Sequence, residues 1–320
     1  MLKKMSIRKM TTATLSLIAL ALLYLMPDNN TPVYTIKTEN LEYIYTNAIE
    51  TIYLLDSNDY VARTTIKGCD CNTIDKAKDL IDGLIIGGSK SNIIPNGFRS
   101  IIPNGTEIKN IDLTDKILTI NFSKELLDIN PKYEEKMLES LIYTLTSIEG
   151  IDKVKINVEG EPLTKLPNTN KKLPAVFDKS YGINKNYNLV TTNNILSYTV
   201  YYVSSYNDSK YYVPVTKYIN DQKQDKIKII IDELSTSPIY ETNLMSYLNS
   251  NVSLLDYKLE EDTIRLNFND SILNESPSNQ ILEEVIYTIS LSIDDNFGVE
   301  EVVFLVNNEE IYKNSLKTLE

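Results

Sequence analysis

Few side chains in this sequence of 320 residues are able to do chemistry, and their types narrow the choices at once. There is no histidine, so Ser-His-Asp and Cys-His machinery, imidazole metal sites and histidine pH switches are all excluded. The only two thiols, Cys69 and Cys71, are one residue apart. Such a C-x-C pair supplies half of a four-ligand zinc site, and oxidation would close a very small ring, so two incidental loop thiols are expected. Three acidic clusters remain: Glu260-Glu261-Asp262, Asp294-Asp295 and Glu309-Glu310. General acid–base work needs carboxylates converging in a pocket, and calcium needs oxygens at a defined spacing that none of the clusters shows. The first falls in a hairpin turn and the second at a helix end, which suits solvated acidic turns. No catalytic residue, metal ligand or cofactor is therefore assigned, and the chain is read as non-enzymatic.

Hydrophobic content of 42% and charged content of 24% belong to a globular chain. A net charge of −12 argues against nucleic acid as a partner, because binding by counterion release needs a basic face. The N-terminus points to a membrane instead. Lys3, Lys4, Arg8 and Lys9 precede an uncharged run from Met10 to Met26, which Pro27 and Asp28 end. Basic residues ahead of an apolar run keep that flank cytoplasmic. The expected layout is a cytoplasmic segment 1–10, a transmembrane anchor or uncleaved signal 11–27 and a polar tether 28–40, with everything after it outside the cytoplasm. Ala19-Leu20-Ala21 resembles a cleavage site, yet cutting there would leave the apolar Leu22–Met26 as a new end, so a retained anchor is favoured.

At the level of whole elements, the sequence is written twice. Ile117–Phe122 returns as Thr263–Phe268, Leu141–Leu145 as Val285–Ile289, and Val154–Val158 as Val302–Val306, at a nearly constant spacing of about 146 residues. Asp75–Lys78 similarly matches Asp225–Lys228. Each copy reads ββαββαβ. In the first, strands are predicted at Thr51–Leu55, Tyr60–Ile66, Glu107–Leu113, Ile117–Phe122 and Val154–Val158, from alternating or β-rich runs. Helices are predicted through Ile74–Ile85 and from Pro131 onward, where apolar residues recur every three or four positions. The second copy opens on Tyr198–Val203 and Tyr211–Tyr218. The fold class is α/β: a tandem duplication of a two-layer sandwich, each copy a mixed sheet with two helices on one face. Domains are placed at 41–163 and 197–312, with a linker at 164–196 rich in Pro, Asn and Lys, and a tail at 313–320.

Three residues stand out as candidate contact residues for another protein. On a helical wheel Tyr143 and Tyr287 lie nearly opposite the apolar stripe of the second helix in each copy. Tyrosine there could anchor an interface, since it gives large contact area at small entropic cost. Ile229 likewise falls on the outward side of its helix, where charge is usual.

Ile102-Pro103-Asn104-Gly105-Thr106, Leu118–Ser123, Ile142–Thr146 and Val154–Gly160, in that order and duplicated, resemble the GerMN-domain family. The resemblance spans about three quarters of the chain. It implies domains similar to ring-building modules of secretion systems, and a place between the two membranes of a sporulating cell. It also implies envelope channel proteins as partners, with self-association as a further option. The chain departs from the pattern in its second copy, where Leu248-Asn249-Ser250-Asn251-Val252 replaces the Ile-Pro-Asn-Gly-Thr turn and Asn308 replaces Gly160. It also lacks the cysteine that some members use for lipidation, and it carries an extra Ile93-Ile94-Pro95-Asn96-Gly97 ahead of its near twin. The functional expectation is an extracytoplasmic assembly module, with a polysaccharide-binding module of the envelope as the alternative.

Overall fold

Alternation and cap chemistry place most of the elements. The computed structural model describes residues 49–220, 225–236, 243–273 and 280–316. The expected anchor and tether lie outside them. Among the described residues no helix is long and apolar enough to cross a membrane.

The first copy opens with a hairpin, β1 (Ile49–Asp56) and β2 (Val61–Lys67). Helix α1 (Thr73–Leu84) follows, its first turn capped by the side chain of Asn72. A short β3 (Phe98–Arg99) returns to the free edge of β1, then β4 (Ile108–Thr114) and β5 (Ile117–Phe122) form a second hairpin. Leu118, Ile120 and Phe122 alternate into the core. Helix α2 (Glu134–Leu145) begins three residues after Pro131, which sits in the preceding turn rather than inside the helix. Strand β6 (Lys153–Val158) then runs parallel to β5, and β7 (Glu161–Pro162) closes that sheet. After the linker strand β8 (Asn186–Asn188), the second copy repeats the plan. It has β9 (Ile195–Tyr206), β10 (Ser209–Asn220), α3 (Lys226–Ser235), β11 (Leu254–Glu260), β12 (Thr263–Phe268), α4 (Glu283–Phe297), β13 (Glu301–Val306) and β14 (Glu309–Ser315).

The α/β class and the tandem duplication hold, but the strands sort into three sheets rather than one per copy. β4-β5-β6-β7 and β11-β12-β13-β14 are four-stranded sheets, one in each copy. The two opening hairpins instead join, β2 to β10, with Arg63 opposite Tyr212 in a six-stranded sheet shared by both copies. The described residues accordingly all belong to one compact unit.

The departures of the second copy keep the geometry by other means. Thr106 N–H bonds the Pro103 carbonyl at 3.3 Å, and Val252 N–H bonds that of Asn249 at 3.0 Å, so the replaced turn closes the same way. There the Asn249 side chain also accepts from Asn251 N–H at 2.9 Å, as an Asx turn does. Gly160 and Asn308 both hold a left-handed backbone, φ 87° and 72°, which asparagine tolerates better than most residues. Cys69 and Cys71 are bonded to each other, their Cα atoms 5.3 Å apart, and are not the unpaired thiols expected.

Candidate functional site

The chemically richest region is the junction between the copies, built outward from two tyrosines. Tyr53 on β1 and Tyr201 on β9 are buried, and their hydroxyls lie 2.9 Å apart. Tyr201 donates its proton to Asp295 Oδ2 at 2.7 Å, which leaves Tyr53 as the donor between the two rings. Asp295 Oδ1 meets Lys179 Nζ of the linker at 2.5 Å. Burial, reinforced by the Asp295 charge, pushes the Tyr53 hydroxyl up to about 12 and holds that of Tyr201 well above its ordinary value. Burial alone would lower Lys179, but the Asp295 and Asp294 carboxylates override it and raise its pKa. This network is therefore a pair of neutral phenols beside an ion pair. It opens on a polar cleft of about 430 Å³, also lined by Arg63, Glu149, Asp152 and Asp294.

Tyr53 and Tyr201 are equivalent by the duplication, each two residues after an equivalent threonine, Thr51 and Thr199. Two equivalent residues thus meet each other at the junction. Each copy also shields the outer edge of its first strand in a similar way. Tyr53 N–H donates to Thr144 Oγ1 at 2.9 Å, and Ser140 Oγ donates to the Tyr53 carbonyl at 2.5 Å. In the second copy Tyr201 N–H donates to Ser292 Oγ at 2.9 Å, while Asn296 bonds both backbone groups of Thr199. A helical stripe of small polar side chains thus does what a neighbouring strand would otherwise do.

The linker adds further fastening. Asn184 donates from Nδ2 to the carbonyls of Val61 and Pro214, at 2.7 and 2.8 Å, and accepts Val61 N–H at 3.0 Å. One side chain thereby ties a strand of each copy to the linker. Phe177 is buried and exchanges both backbone hydrogen bonds with Val154, at 2.8 Å. The extra Ile93–Gly97 segment also acts at this junction. It delivers Phe98 edge-to-face against Tyr211 at 4.9 Å, and places Gly97 against Tyr206.

These contacts correct two of the three sequence-level candidates. Tyr143 does not face outward: it is fully buried, edge-to-face with Tyr53 at 5.4 Å, and its hydroxyl donates to the Lys179 carbonyl at 3.0 Å. The wheel assumed one covered face, but the linker covers the opposite side of α2 as well. Ile229 is also buried, inside the second copy's core. Tyr287 alone stays half-buried, its ring 5.6 Å from that of Tyr212. Nor are the two tyrosines equivalent. Gly150 and Gly298 both end the turn after their helices with positive φ, and aligning them puts Leu291 opposite Tyr143 and Glu139 opposite Tyr287. The sequence match had slipped by four residues, about one helical turn, which preserves the face. The earlier helices slipped too, since the caps Asn72 and Asp225 correspond, rather than Asp75 and Asp225. Sequence reasoning missed Tyr53, Tyr201, Lys179 and Asn184. Only the repeated Thr-x-Tyr at Thr51 and Thr199 could have flagged the first two.

Comparison with known proteins agrees with this internal symmetry. The profile of the Germane family, described as sporulation and spore germination, matches residues 51–164 and again 199–312. The spore germination protein GerM of Bacillus subtilis (strain 168) is 32% identical over 265 residues, covering 81% of this chain and 71% of that protein. The solved tandem GerMN domains of the sporulation protein GerM from Bacillus subtilis superpose with a TM-score of 0.75 at 31% identity, over 82% of this chain and 92% of that one. By both copies and by nearly its whole folded length, the chain belongs to the Germane family of sporulation and spore germination proteins.

Proposed function

We propose that this protein is a non-catalytic assembly element of the bacterial envelope, anchored by its N-terminal segment with both domains outside the cytoplasm. In this role it supports a channel complex that crosses the two membranes of the sporulating cell, and so prepares for later germination. The observation that carries the reading is the junction. Two domains of a sporulation family are joined through a shared sheet, a buried hydroxyl–carboxylate–lysine chain and a bonded linker, which suits a rigid spacer better than a hinged catalyst. A tagged full-length chain, purified from sporulating cells after mild cross-linking, should carry envelope channel proteins with it. Retention on purified cell wall with no protein companion would count against the assembly reading. That outcome would favour the alternative, an envelope-polysaccharide module, for which the exposed Tyr187 ring stacked on Tyr218 at 4.7 Å speaks.

A further inference from the structure

The matching faces of the two copies differ in what covers them. On the first copy the linker lies along one stripe of α2. The N–H groups of Asn168 and Thr169 bond the Glu134 carboxylate at 2.9 and 3.0 Å. Lys171 and Lys185 both bond Glu135 at 2.7 Å, and Lys185 and the N–H of Asn184 bond Glu139 at 3.0 and 2.9 Å. Beside the helix, Leu173 of the linker and Leu163 both pack against the first copy's core. A linker segment folded into a tight hairpin at 165–172, basic and in part apolar, therefore occupies this face.

At the spacing set by Gly150 and Gly298, the second-copy counterparts of Glu134, Glu135 and Glu139 are Leu282, Glu283 and Tyr287; beyond a bulge at Ile311 in β14, Tyr312 takes the place of Leu163, opposite Phe304 as Leu163 is opposite Ile156. Leu282, Ile311 and Tyr312 are 36%, 42% and 43% exposed, and among the described residues no segment takes the linker's place over them. Two carboxylates that receive main-chain N–H and lysine on the first copy have become leucine and tyrosine, while the acid at Glu283 is kept.

We infer that this face of the second copy, Leu282, Glu283, Tyr287, Ile311 and Tyr312, docks a segment of another protein in the place the linker takes on the first copy. The inference rests on the assembly reading and names its contact surface. The changed residues define the occupant: apolar side chains to cover Leu282, Tyr287 and Tyr312, and a lysine or arginine to meet Glu283 as Lys171 and Lys185 meet Glu135.

The test is site-specific photocross-linking of the full-length chain in sporulating cells, with the photoreactive residue placed at 287, at 312 or at the control position 190, where Val190 is 91% exposed. Adducts are identified by mass spectrometry. Positions 287 and 312 should capture the same peptide of one partner protein, bearing a basic residue among apolar ones, and position 190 should not. Glu283→Lys and Leu282→Asp should each lower both adducts at least tenfold, with thermal melts unchanged. Adducts to a glycan or to a second copy of the chain would overturn the inference. So would no adduct at either position, unrelated peptides at the two, or full yields in both variants. Envelope proteins recovered by the tag without adducts at 287 and 312 would sink this face alone; recovery of none would sink the assembly reading with it.

Discussion

In the first copy the far side of α2 lies beneath the chain's own linker, whereas in the second the matching side of α4 is open at Leu282 and Glu283 and only half-covered at Tyr287. The edge strands differ in the same sense. β7 stops after Glu161 and Pro162, and Phe177 later returns to complete the edge of β6; β14 runs seven residues along β13 unaided. One blueprint has thus been spent in two ways. The first copy is turned inward, its side chains committed to fastening the tandem, and the second keeps a face for something else. Duplication makes this division readable, because each position in one copy has a control in the other.

The sharpest way to break the comparison is to truncate the two tyrosines. Tyr143→Ala removes a fully buried ring that packs on Tyr53 and leaves the Lys179 carbonyl without its donor, so a loss of about 3–5 kcal/mol is expected. Tyr287→Ala, at a half-exposed site, should change stability by about 1 kcal/mol or less. Urea unfolding of the purified chain measures both. Because Tyr143 corresponds to Leu291 rather than to Tyr287, equal losses would mean that the ring of Tyr287 is as fully covered as that of Tyr143.

Gly97 tests whether the extra segment of the first copy belongs to the junction. Its φ is +90°, and a Cβ there would meet the Tyr206 ring at 2.5 Å, so Gly97→Ala combines backbone strain with a clash against the other copy. A loss of about 2–3 kcal/mol is expected. Tyr206→Ala in the same chain should relieve part of it, and simple additivity would show that the segment does not lean on the second copy.

Much of this architecture is legible in the sequence, for local reasons. Ile117–Phe122 is both the predicted and the observed strand because its apolar residues alternate and a turn precedes it. The duplication shows because equivalent elements keep their order. The register of the helices does not, since a slip of four residues leaves every side chain on nearly the same face, and so Tyr143 was matched to Tyr287. Nor could a wheel foresee that Tyr143 and Ile229 would both be buried. In the case of Tyr143 that depends on a linker without periodicity. The merging of the two hairpins is a property of edges, which the pattern of one strand does not encode.

Asn184→Ala probes the linker's share of the fastening. It would leave the Val61 and Pro214 carbonyls and the Val61 N–H without their partner, at a cost of about 2 kcal/mol. Because the linker is tied to both copies here, amide hydrogen exchange should rise at Val61 and along β8 together. A rise confined to one of them would show that the copies are held without it.

The smallest expected effect is electrostatic and belongs to the first copy alone. Asp59, in the turn between β1 and β2, bonds Lys132 at 2.5 Å, accepts from Tyr133 at 3.1 Å and pairs with Arg99 of β3. Its carboxyl is held down to about 2, first by Lys132, with burial opposing and Arg99 and Tyr133 assisting. A carboxylate whose folded pKa lies below its unfolded value stabilises the fold above the unfolded value. The contribution is therefore complete above about pH 4 and is lost as pH falls toward 2. The site is partly exposed, so the whole effect should be about 1 kcal/mol. Asp59→Asn should lower stability by that amount at neutral pH and flatten the fall between about pH 4 and pH 2. If wild type and variant instead keep a constant gap down to pH 2, the turn is held by its hydrogen-bond geometry alone, and the charge of Asp59 contributes nothing to closing the first copy.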